Sequence, residues 1–354
     1  MAFFSEHFIH WLENNANELD QTSSELSEGL LKRIALEGVF KVGVPTPLGG
    51  QGGDAKEVIE ILQTLASHSL TASFIAWGHY TFIKQILTSS NPYFREHYLN
   101  ELINADIAGA TGLSNTVKYL ANLEELNVKI SQKDGKYYLN GKLPWVTNVR
   151  KDRFLAVFSA GLEGKTPWVI AIPSDAIGLV RSADLEFIAL QGANTASLTF
   201  NEVELKPEWI LSDNAPEFLA QTRPYFLGYQ FGLALGLAKR SLQEAEQRLI
   251  YRAALATDWQ QTSEHFTSLK QRLYQGLTEE QYFIERPKEL LALRLEVVDL
   301  VAKSLLLELE ASGGAAYFKD SSLSFIRRWN EGAFLPVVSP SAAQLKQLLQ
   351  ENSH

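Results

Sequence analysis

The period of the hydrophobic pattern changes twice along the chain, and this constrains the fold more than any single motif. Between residues 5 and 104 apolar side chains recur at the three- and four-residue spacing of amphipathic helices. From about residue 106 to 213 they alternate with polar ones, interrupted by Gly, Pro, Asn and Asp. Helical spacing then returns from residue 216 onward. The sequence therefore predicts an α+β chain with three domains: an all-α domain at 1–105, a β domain at 106–213 and a helical bundle at 214–354.

Local signals add detail to this division. The pair Asp134-Gly135 between two alternating segments predicts a tight β-hairpin. Gly228, Gly232 and Gly236 share one face of a helix, which predicts close approach of another backbone. Long helices are predicted at about 224–258, 262–277 and 279–313, with a last one from 341.

The composition excludes several classes of function. The chain of 354 residues has no cysteine, so it forms no disulfide, no thiolate metal site and no cysteine nucleophile. A net charge of −9 without a basic block offers no footprint for nucleic acid or an anionic membrane surface. No apolar run approaches the roughly 18 residues of a membrane span, and the chain start lacks a signal-peptide pattern. Because the 7 histidines are scattered, we expect no metal site, and we expect a cytoplasmic protein.

Four short motifs occur in the order and at the spacing of one flavoprotein superfamily. They are GVPTPLGGQGG at 43–53, LNGK at 139–142, WVTN at 145–148 and ALQG at 189–192. Each is weakly specific alone, but their order, with the helix, strand, helix organisation, covers nearly the whole chain. The sequence resembles the acyl-CoA dehydrogenase superfamily. This resemblance implies a central β-barrel-like domain, a C-terminal four-helix bundle and assembly into a homodimer or homotetramer.

The resemblance also implies a flavin site, with FAD as the cofactor and reduced FMN as the alternative. A flavin ring needs an aromatic or apolar surface on one face and a hydrogen-bond donor near its N5 atom. By resemblance, Trp145 packs near the flavin, the Thr147 hydroxyl lies near N5, and Thr111 lies near the pyrimidine side of the ring. Asn148 belongs to the same flavin-contacting segment.

The carboxylate base of acyl-CoA dehydrogenases is predicted to be missing from both positions at which the superfamily carries it. By resemblance, Ser341 occupies the C-terminal glutamate position, and Thr222, just before Arg223, occupies the other. Ser341 is therefore assigned to the cofactor site. An unassisted hydroxyl is too weakly basic to remove a substrate α-proton, and a positioned base contributes roughly 10²–10⁴-fold in rate. The turn at 112–118 also departs from the superfamily's CoA-binding turn, so the sequence argues against ordinary acyl-CoA oxidation.

The superfamily includes flavin-dependent monooxygenases, which use reduced flavin and O₂ and need no α-proton base. By resemblance, His79 lies where some of these enzymes carry an active-site histidine, and an imidazole with a pKa of about 6.5 can transfer a proton near neutral pH. The alternative for His79 is a structural ring bonded to backbone groups.

Three hypotheses for the function follow. The first is a flavin-dependent oxidoreductase, of the reduced-flavin monooxygenase type, that acts on a small molecule. The second is an acyl-CoA dehydrogenase with a relocated base, whose substrate is an acyl-CoA. The third is a non-catalytic flavin-binding relative. For an enzyme, the expected protein partner is an electron-transfer protein or a flavin reductase.

Overall fold

The computed structural model describes residues 3–279, 281–318 and 321–350. Residues 1, 2, 280, 319, 320 and 351–354, which the predicted domain ranges include, lie outside the described residues. Helices, a central sheet and further helices follow one another along the chain, which confirms the predicted fold class. The domain boundaries themselves stay a prediction.

Helices make up the N-terminal part of the chain. They are α1 (Glu6–Gln21), α2 (Glu25–Leu36), α3 (Ala55–His68), α4 (Leu70–Thr88) and α5 (Tyr93–Ile103). The side chain of Asp54 accepts hydrogen bonds from the backbone N–H groups of Lys56 and Glu57, which fixes the start of α3 after the glycine-rich loop. Helix α4 is apolar and buried around most of its circumference, because it packs between α3, the sheet and the C-terminal helices.

Eight strands form the central sheet. They are β1 (Ala108–Thr111), β2 (Val128–Lys133), β3 (Lys136–Val146), β4 (Phe154–Leu162), β5 (Trp168–Pro173), β6 (Leu179–Asp184), β7 (Ala196–Leu205) and β8 (Ile210–Ser212). The strand order is β6-β7-β3-β2-β4-β5-β8, and β1 pairs in parallel with β4. The predicted hairpin is confirmed, since β2 and β3 are antiparallel and the two turn residues, Asp134 and Gly135, have φ angles of 52° and 78°. An unpredicted helix, α6 (Ser114–Leu120), lies between β1 and β2.

The C-terminal part consists of three long helices and three short ones. They are α7 (Ala215–Glu246), α8 (Ala256–Thr278), α9 (Tyr282–Glu285), α10 (Pro287–Ser312), α11 (Phe325–Phe334) and α12 (Ala342–Gln350). Three predicted helix starts are wrong, and so is the predicted end of the first long helix near residue 258. Helix α7 ends at Glu246, and α8 begins at Ala256 rather than at 262. Helix α7 begins where Asn214 caps it, and Pro224 lies inside it. Helix α10 begins only at Pro287, because proline is favoured in a first helical turn, where its missing N–H is not needed.

The close approach predicted along the glycine face of α7 is confirmed at two of its three positions. A Cβ atom on Gly236 would lie 2.3 Å from the Gln63 carbonyl oxygen, and one on Gly232 would lie 2.5 Å from a side-chain atom of α3. Helix α3 therefore packs directly on the backbone of α7. In contrast, Gly228 faces only the Leu277 side chain, at 3.6 Å.

This difference predicts opposite outcomes for two matched substitutions. Gly236→Ala is expected to lower the free energy of unfolding by about 1–3 kcal/mol, because the added methyl group forces α3 away from α7. Gly228→Ala is expected to leave it unchanged or raise it by up to about 1 kcal/mol, since alanine is the better helix former and space is available. Urea denaturation followed by circular dichroism measures both. Equal effects would contradict the crowding seen at Gly236.

Candidate functional site

A cavity of about 360 Å³ lies where α4, the sheet, α7 and α11 meet, and we call it the main cavity. Most of its wall is apolar: Phe74 and Trp77 come from α4, Phe226 from α7 and Phe334 from α11. The Trp77 indole N–H donates to the Phe226 carbonyl oxygen at 3.1 Å, so these two walls are held together. Its volume falls within the roughly 300–1,000 Å³ typical of small-molecule sites.

The structure brings three of the predicted site residues together on one side of the main cavity. Thr111, Trp145 and Thr147 all line it. Thr111 at the end of β1 pairs through its backbone with Thr147, which follows β3, and this pairing places the two side chains side by side. The Thr147 and Thr195 hydroxyl oxygens are 3.3 Å apart. Trp145 is 54% exposed, so its ring offers a free aromatic surface.

Asn148 and His79 do not line the main cavity but hold the strand that does. His79 is fully buried, its Nε2 lies 2.8 Å from the Leu102 carbonyl oxygen, and its Nδ1 accepts from the Gly109 N–H at 2.9 Å. Asn148 donates from its amide to the carbonyl oxygen of the same Gly109 at 2.8 Å. Both side chains therefore fix the path of β1 and, through it, the position of Thr111.

The active-site role predicted for His79 disagrees with this placement. Both of its ring nitrogens are used by backbone groups, so the ring has no free position for proton transfer to a substrate. Burial also lowers the pKa of His79 to about 4, which keeps the ring neutral near physiological pH. The geometry matches the alternative, a structural histidine bonded to backbone.

Ser341 also lies away from the main cavity, and Ser339, two residues earlier, lines the cavity instead. Ser341 donates its N–H to Gln344 Oε1 at 2.8 Å and accepts from the Gln344 N–H at 3.3 Å, so it caps α12. Ser339 lines the cavity, and its hydroxyl oxygen lies 2.6 Å from that of Ser114, another lining residue. This serine pair forms a polar end of the main cavity that we did not predict.

A buried arginine stands behind this polar end. Arg294 of α10 donates from Nε to Gln230 Oε1 at 3.0 Å and from Nη2 to the Leu335 carbonyl oxygen at 3.1 Å. Gln230 in turn donates to the Ser339 carbonyl oxygen at 2.9 Å. Burial lowers the pKa of Arg294 to about 10, so the guanidinium stays charged. Within the described residues no carboxylate pairs with Arg294, and its positive potential therefore extends toward the serine pair.

Within residues 3–279, 281–318 and 321–350, no carboxylate and no histidine lines the main cavity. Two buried carboxylates lie behind its wall. Glu331 accepts from the Leu70 N–H at 3.0 Å and forms an ion pair with Arg327. Asp20 accepts from the N–H of the lining residue Leu190 at 2.7 Å. Both are used to hold backbone and side chains in place.

The lining of the main cavity fits a flavin ring. Trp145 offers an aromatic face, and Thr111, Thr147 and Thr195 offer hydroxyl groups that can bond ring nitrogen and oxygen atoms. The Thr111 hydroxyl is buried without a hydrogen-bond partner in the described residues, which is an uncommon state that a ligand heteroatom would relieve. In the same described part of the chain, no group of three or more metal-ligating side chains is found.

Comparison with known proteins agrees with this architecture. Residues 4–106 match the family model described as "Acyl-CoA dehydrogenase, N-terminal domain". Isovaleryl-CoA dehydrogenase from mitochondria of Bos taurus is 30% identical over 217 residues, which cover 59% of this chain and 50% of that protein. The matched stretch thus spans about half the length of this curated relative.

Solved structures match over the whole chain. Butyryl-CoA dehydrogenase from Megasphaera elsdenii gives a TM-score of 0.81 at 15% identity and covers 99% of both chains. An FAD complex of PigA gives a TM-score of 0.82 at 15% identity and covers 100% of this chain and 99% of that one. The three-part fold is therefore that of the acyl-CoA dehydrogenases. The N-terminal part of the chain matches their family model as well, which supports the superfamily resemblance predicted from the sequence.

None of the described helices is both long enough and apolar enough to cross a membrane.

Proposed function

We propose that this chain binds FAD in the main cavity and acts as a flavin-dependent oxidoreductase on a small molecule, without a carboxylate base. One observation carries the proposal: a cavity with an aromatic face and three threonine hydroxyls that has no carboxylate or histidine among its described lining residues. The FAD complex of PigA, which has the same fold, supports FAD as the cofactor. A bound flavin supplies two-electron redox chemistry, which side chains alone do not.

Each part of the cavity has a distinct task in this proposal. The ring of Trp145 covers one face of the cofactor, while Thr111 and Thr147 orient its polar edge. The aromatic walls from α4 and α7 exclude water. The Ser114 and Ser339 hydroxyls bind an electron-rich oxygen of the substrate, because the buried charge behind them favours negative charge at that end.

The same lining favours a monooxygenase-type reaction over the dehydrogenation of an acyl-CoA. Removal of an α-proton requires an acceptor within hydrogen-bond reach of the substrate carbon. The Arg294 guanidinium behind the polar end can only donate hydrogen bonds. Chemistry that uses reduced flavin and O₂ needs no such acceptor, and a flavin reductase is the corresponding partner.

We also infer that the protein is a homo-oligomer. Two short 3₁₀ segments beside the C-terminal helices, 249–251 and 313–317, carry largely exposed side chains, and so does the residue after the second: Ile250, Tyr251, Tyr317 and Phe318. Apolar side chains left in water at the end of a helical bundle are typical of a surface that another subunit covers.

Flavin binding is the first test. Titration of the purified protein with FAD, followed by the visible absorption bands and by flavin fluorescence, is expected to give saturable binding. Trp145→Ala is expected to weaken the affinity by about tenfold, because the aromatic surface is worth roughly 0.5–1.5 kcal/mol beyond its area. Trp259→Ala, which removes a half-buried tryptophan of α8 that does not line the main cavity, is the control and should leave the affinity unchanged.

The reaction type is tested on the same complex. Isovaleryl-CoA and butyryl-CoA should fail to bleach the oxidised FAD bands, whereas a flavin reductase with NADH should support O₂ consumption when substrate is present. Bleaching by either acyl-CoA would replace the proposed reaction with an acyl-CoA dehydrogenation that uses a relocated base. If neither oxidised nor reduced flavin binds, the chain is a relative without flavin chemistry and the proposal fails.

A further inference from the structure

Arg294 differs from the other buried arginines of the described chain in having no carboxylate partner. The arginines with buried side chains are Arg150, Arg294, Arg327 and Arg328. Three of them each form an ion pair with an aspartate or a glutamate. Within residues 3–279, 281–318 and 321–350, no ion pair includes Arg294. A buried charge without a counter-charge is costly, so a negative charge placed near Arg294 would be stabilised.

The groups that hold the Arg294 guanidinium are neutral. Its Nε donates to Gln230 Oε1 at 3.0 Å, and its Nη2 donates to the Leu335 carbonyl oxygen at 3.1 Å. Its third nitrogen, Nη1, is buried without a hydrogen-bond partner in the described residues. An arginine side chain stays protonated near neutral pH, so this positive charge is permanent.

Arg294 and Gln230 together hold both ends of the short segment that carries Ser339. The guanidinium binds the carbonyl oxygen of Leu335, where the segment begins. Gln230 donates from Nε2 to the carbonyl oxygen of Ser339, where it ends, at 2.9 Å. Two valines between these points line the main cavity as well. The position of Ser339 therefore depends on Arg294, although the two residues make no direct hydrogen bond in the structure.

The polar end of the main cavity is suited to a ligand oxygen that carries negative charge. The hydroxyl oxygens of Ser114 and Ser339 are 2.6 Å apart, so one hydroxyl donates to the other and the second proton is free for a ligand. No carboxylate among the described lining residues opposes a negative charge there. Another cation, Arg223, lines an adjoining space that shares Phe226 with the main cavity, but it is partly exposed and therefore screened by water.

We propose that Arg294 is a positioning residue for the polar end of the main cavity: it fixes Ser339 through Gln230, and its charge makes this end bind a ligand oxygen in the ionised form. The corresponding ligand is a compound with an acidic hydroxyl group, bound as its oxyanion with its apolar part against the aromatic walls. The charge acts through a buried wall, where it is screened less than in water. The inference rests on the proposed function, because it takes the main cavity as the ligand site.

Two matched probes test the preference for an ionised oxygen: 4-nitrophenol, which can ionise, and 4-nitroanisole, which cannot. Each is titrated into the full-length protein, with and without FAD, at several pH values. The yellow absorbance of the ionised form, read from difference spectra, gives the pKa of bound 4-nitrophenol. This pKa is expected to lie about one unit below its value in water, which is a tenfold preference for the oxyanion. No binding of 4-nitrophenol, or a bound pKa at or above the value in water, would overturn the proposal.

Substitutions of Arg294 assign the charge. Arg294→Met is expected to return the pKa of bound 4-nitrophenol to its value in water, whereas Arg294→Lys keeps the charge and should retain much of the lowering. Lys303→Met removes an exposed charge of the same helix that does not line the main cavity, and it should behave as the wild type. A lowered pKa that persists in Arg294→Met would assign the charge to another cation, such as Arg223, and overturn the proposal. Should Arg294→Met fail to fold, Arg294→Gln is the neutral substitute.

Substitution of Gln230 separates position from charge. Gln230→Leu removes the link to Ser339 but keeps Arg294, so 4-nitrophenol is expected to bind about three- to tenfold more weakly while its bound pKa stays lowered. Ser339→Ala should weaken 4-nitrophenol more than 4-nitroanisole, because only the oxyanion makes a charge-assisted hydrogen bond. Unchanged binding of 4-nitrophenol in both variants would show that Ser339 does not hold the oxyanion.

FAD titration of the same samples distinguishes this inference from the proposed function. If FAD binds but the pKa of bound 4-nitrophenol equals its value in water, the role of Arg294 is wrong and the proposed function stands. If FAD does not bind but this pKa is lowered in the wild type and restored in Arg294→Met, the proposed function fails and the role of Arg294 stands.

Discussion

Glu308→Gln is expected to lower the free energy of unfolding by about 3–5 kcal/mol, because it leaves the Arg328 guanidinium buried without a carboxylate. Glu308 is 1% exposed and Arg328 is 2% exposed. Arg328 Nε lies 3.1 and 3.2 Å from the two Glu308 carboxylate oxygens, and its Nη2 donates to Glu308 as well as to the Leu323 carbonyl oxygen. The ion pair joins α10 to α11.

The loss should extend to the functional site, since α11 forms part of its wall. Asn330, Ala333 and Phe334 of this helix line the main cavity, so loosening α11 is expected to weaken FAD binding as well as stability. Chemical denaturation measures the first effect and FAD titration the second.

A surface ion pair in the same bundle provides the control. Glu296 pairs with Arg272 and contacts His265, and all three side chains are partly exposed. Glu296→Gln is therefore expected to cost no more than about 1 kcal/mol and to leave FAD binding intact. Combined replacement of Glu308 by Leu and Arg328 by Met should recover much of the lost stability, because it removes both charges together. If Glu308→Gln lowers the free energy of unfolding no more than Glu296→Gln does, the Glu308–Arg328 ion pair is not the buried link between α10 and α11 that the structure shows.

The broad fold could be predicted from the sequence because the hydrophobic period reports which residues face a core. Helix α6 was not predicted, because it has only 7 residues and no side-chain cap. It is held by tertiary contacts instead: Asn115 donates to the Glu125 carbonyl oxygen at 2.9 Å and accepts from the Asn127 N–H at 2.8 Å. Contacts of this kind leave no periodic signal.

The candidate site could be predicted only in part. Thr111, Trp145 and Thr147 lie together on the main cavity, and their roles toward a flavin stay predictions. His79 and Asn148 both bond the backbone of Gly109, and a sequence cannot reveal such a meeting of three elements.

The buried arginine of the site did have a signal in the sequence. Arg294 stands on the same helical face as Leu290, Val297 and Val301, all of which are buried. A charged residue within an apolar helical stripe is rarely buried without a purpose. Here it is hydrogen-bonded to Gln230, which holds the polar end of the main cavity.

Asp20→Asn is expected to make stability rise more with pH between about 4 and 7 than it does in the wild-type protein, because it removes a contribution that falls over this range. The lowered pKa of His79 acts in the opposite direction in both proteins, so the comparison between them isolates Asp20. Burial, and next the charge of the neighbouring Glu331, raise the pKa of Asp20 from 3.8 to about 7 in the folded protein. The Leu190 N–H and Arg327 act in the opposite direction. The folded protein therefore keeps a proton on Asp20 at pH values at which the unfolded chain has already released it.

The sign of the pH dependence follows from this difference in bound protons. The stabilising contribution of protonated Asp20 is fully present below the unfolded pKa, declines through the window between 3.8 and about 7, and is absent above it. Complete loss of the Asp20 contribution lowers the free energy of unfolding by at most about 4 kcal/mol. Asparagine stays uncharged throughout, and its amide oxygen can still accept from the Leu190 N–H, so the variant should be the more stable protein at about pH 8.

Denaturation curves at about pH 5 and about pH 8 give the free energy of unfolding at each pH. The change in this free energy between the two pH values is then compared across variants. Asp299→Asn, at an exposed position of α10 without an ion pair in the described residues, should show the same difference as the wild type. A difference for Asp20→Asn as large as that of the wild type would show that another group titrates. Because Asp20 holds Leu190 at the wall of the main cavity, FAD affinity should vary less with pH in Asp20→Asn than in the wild-type protein.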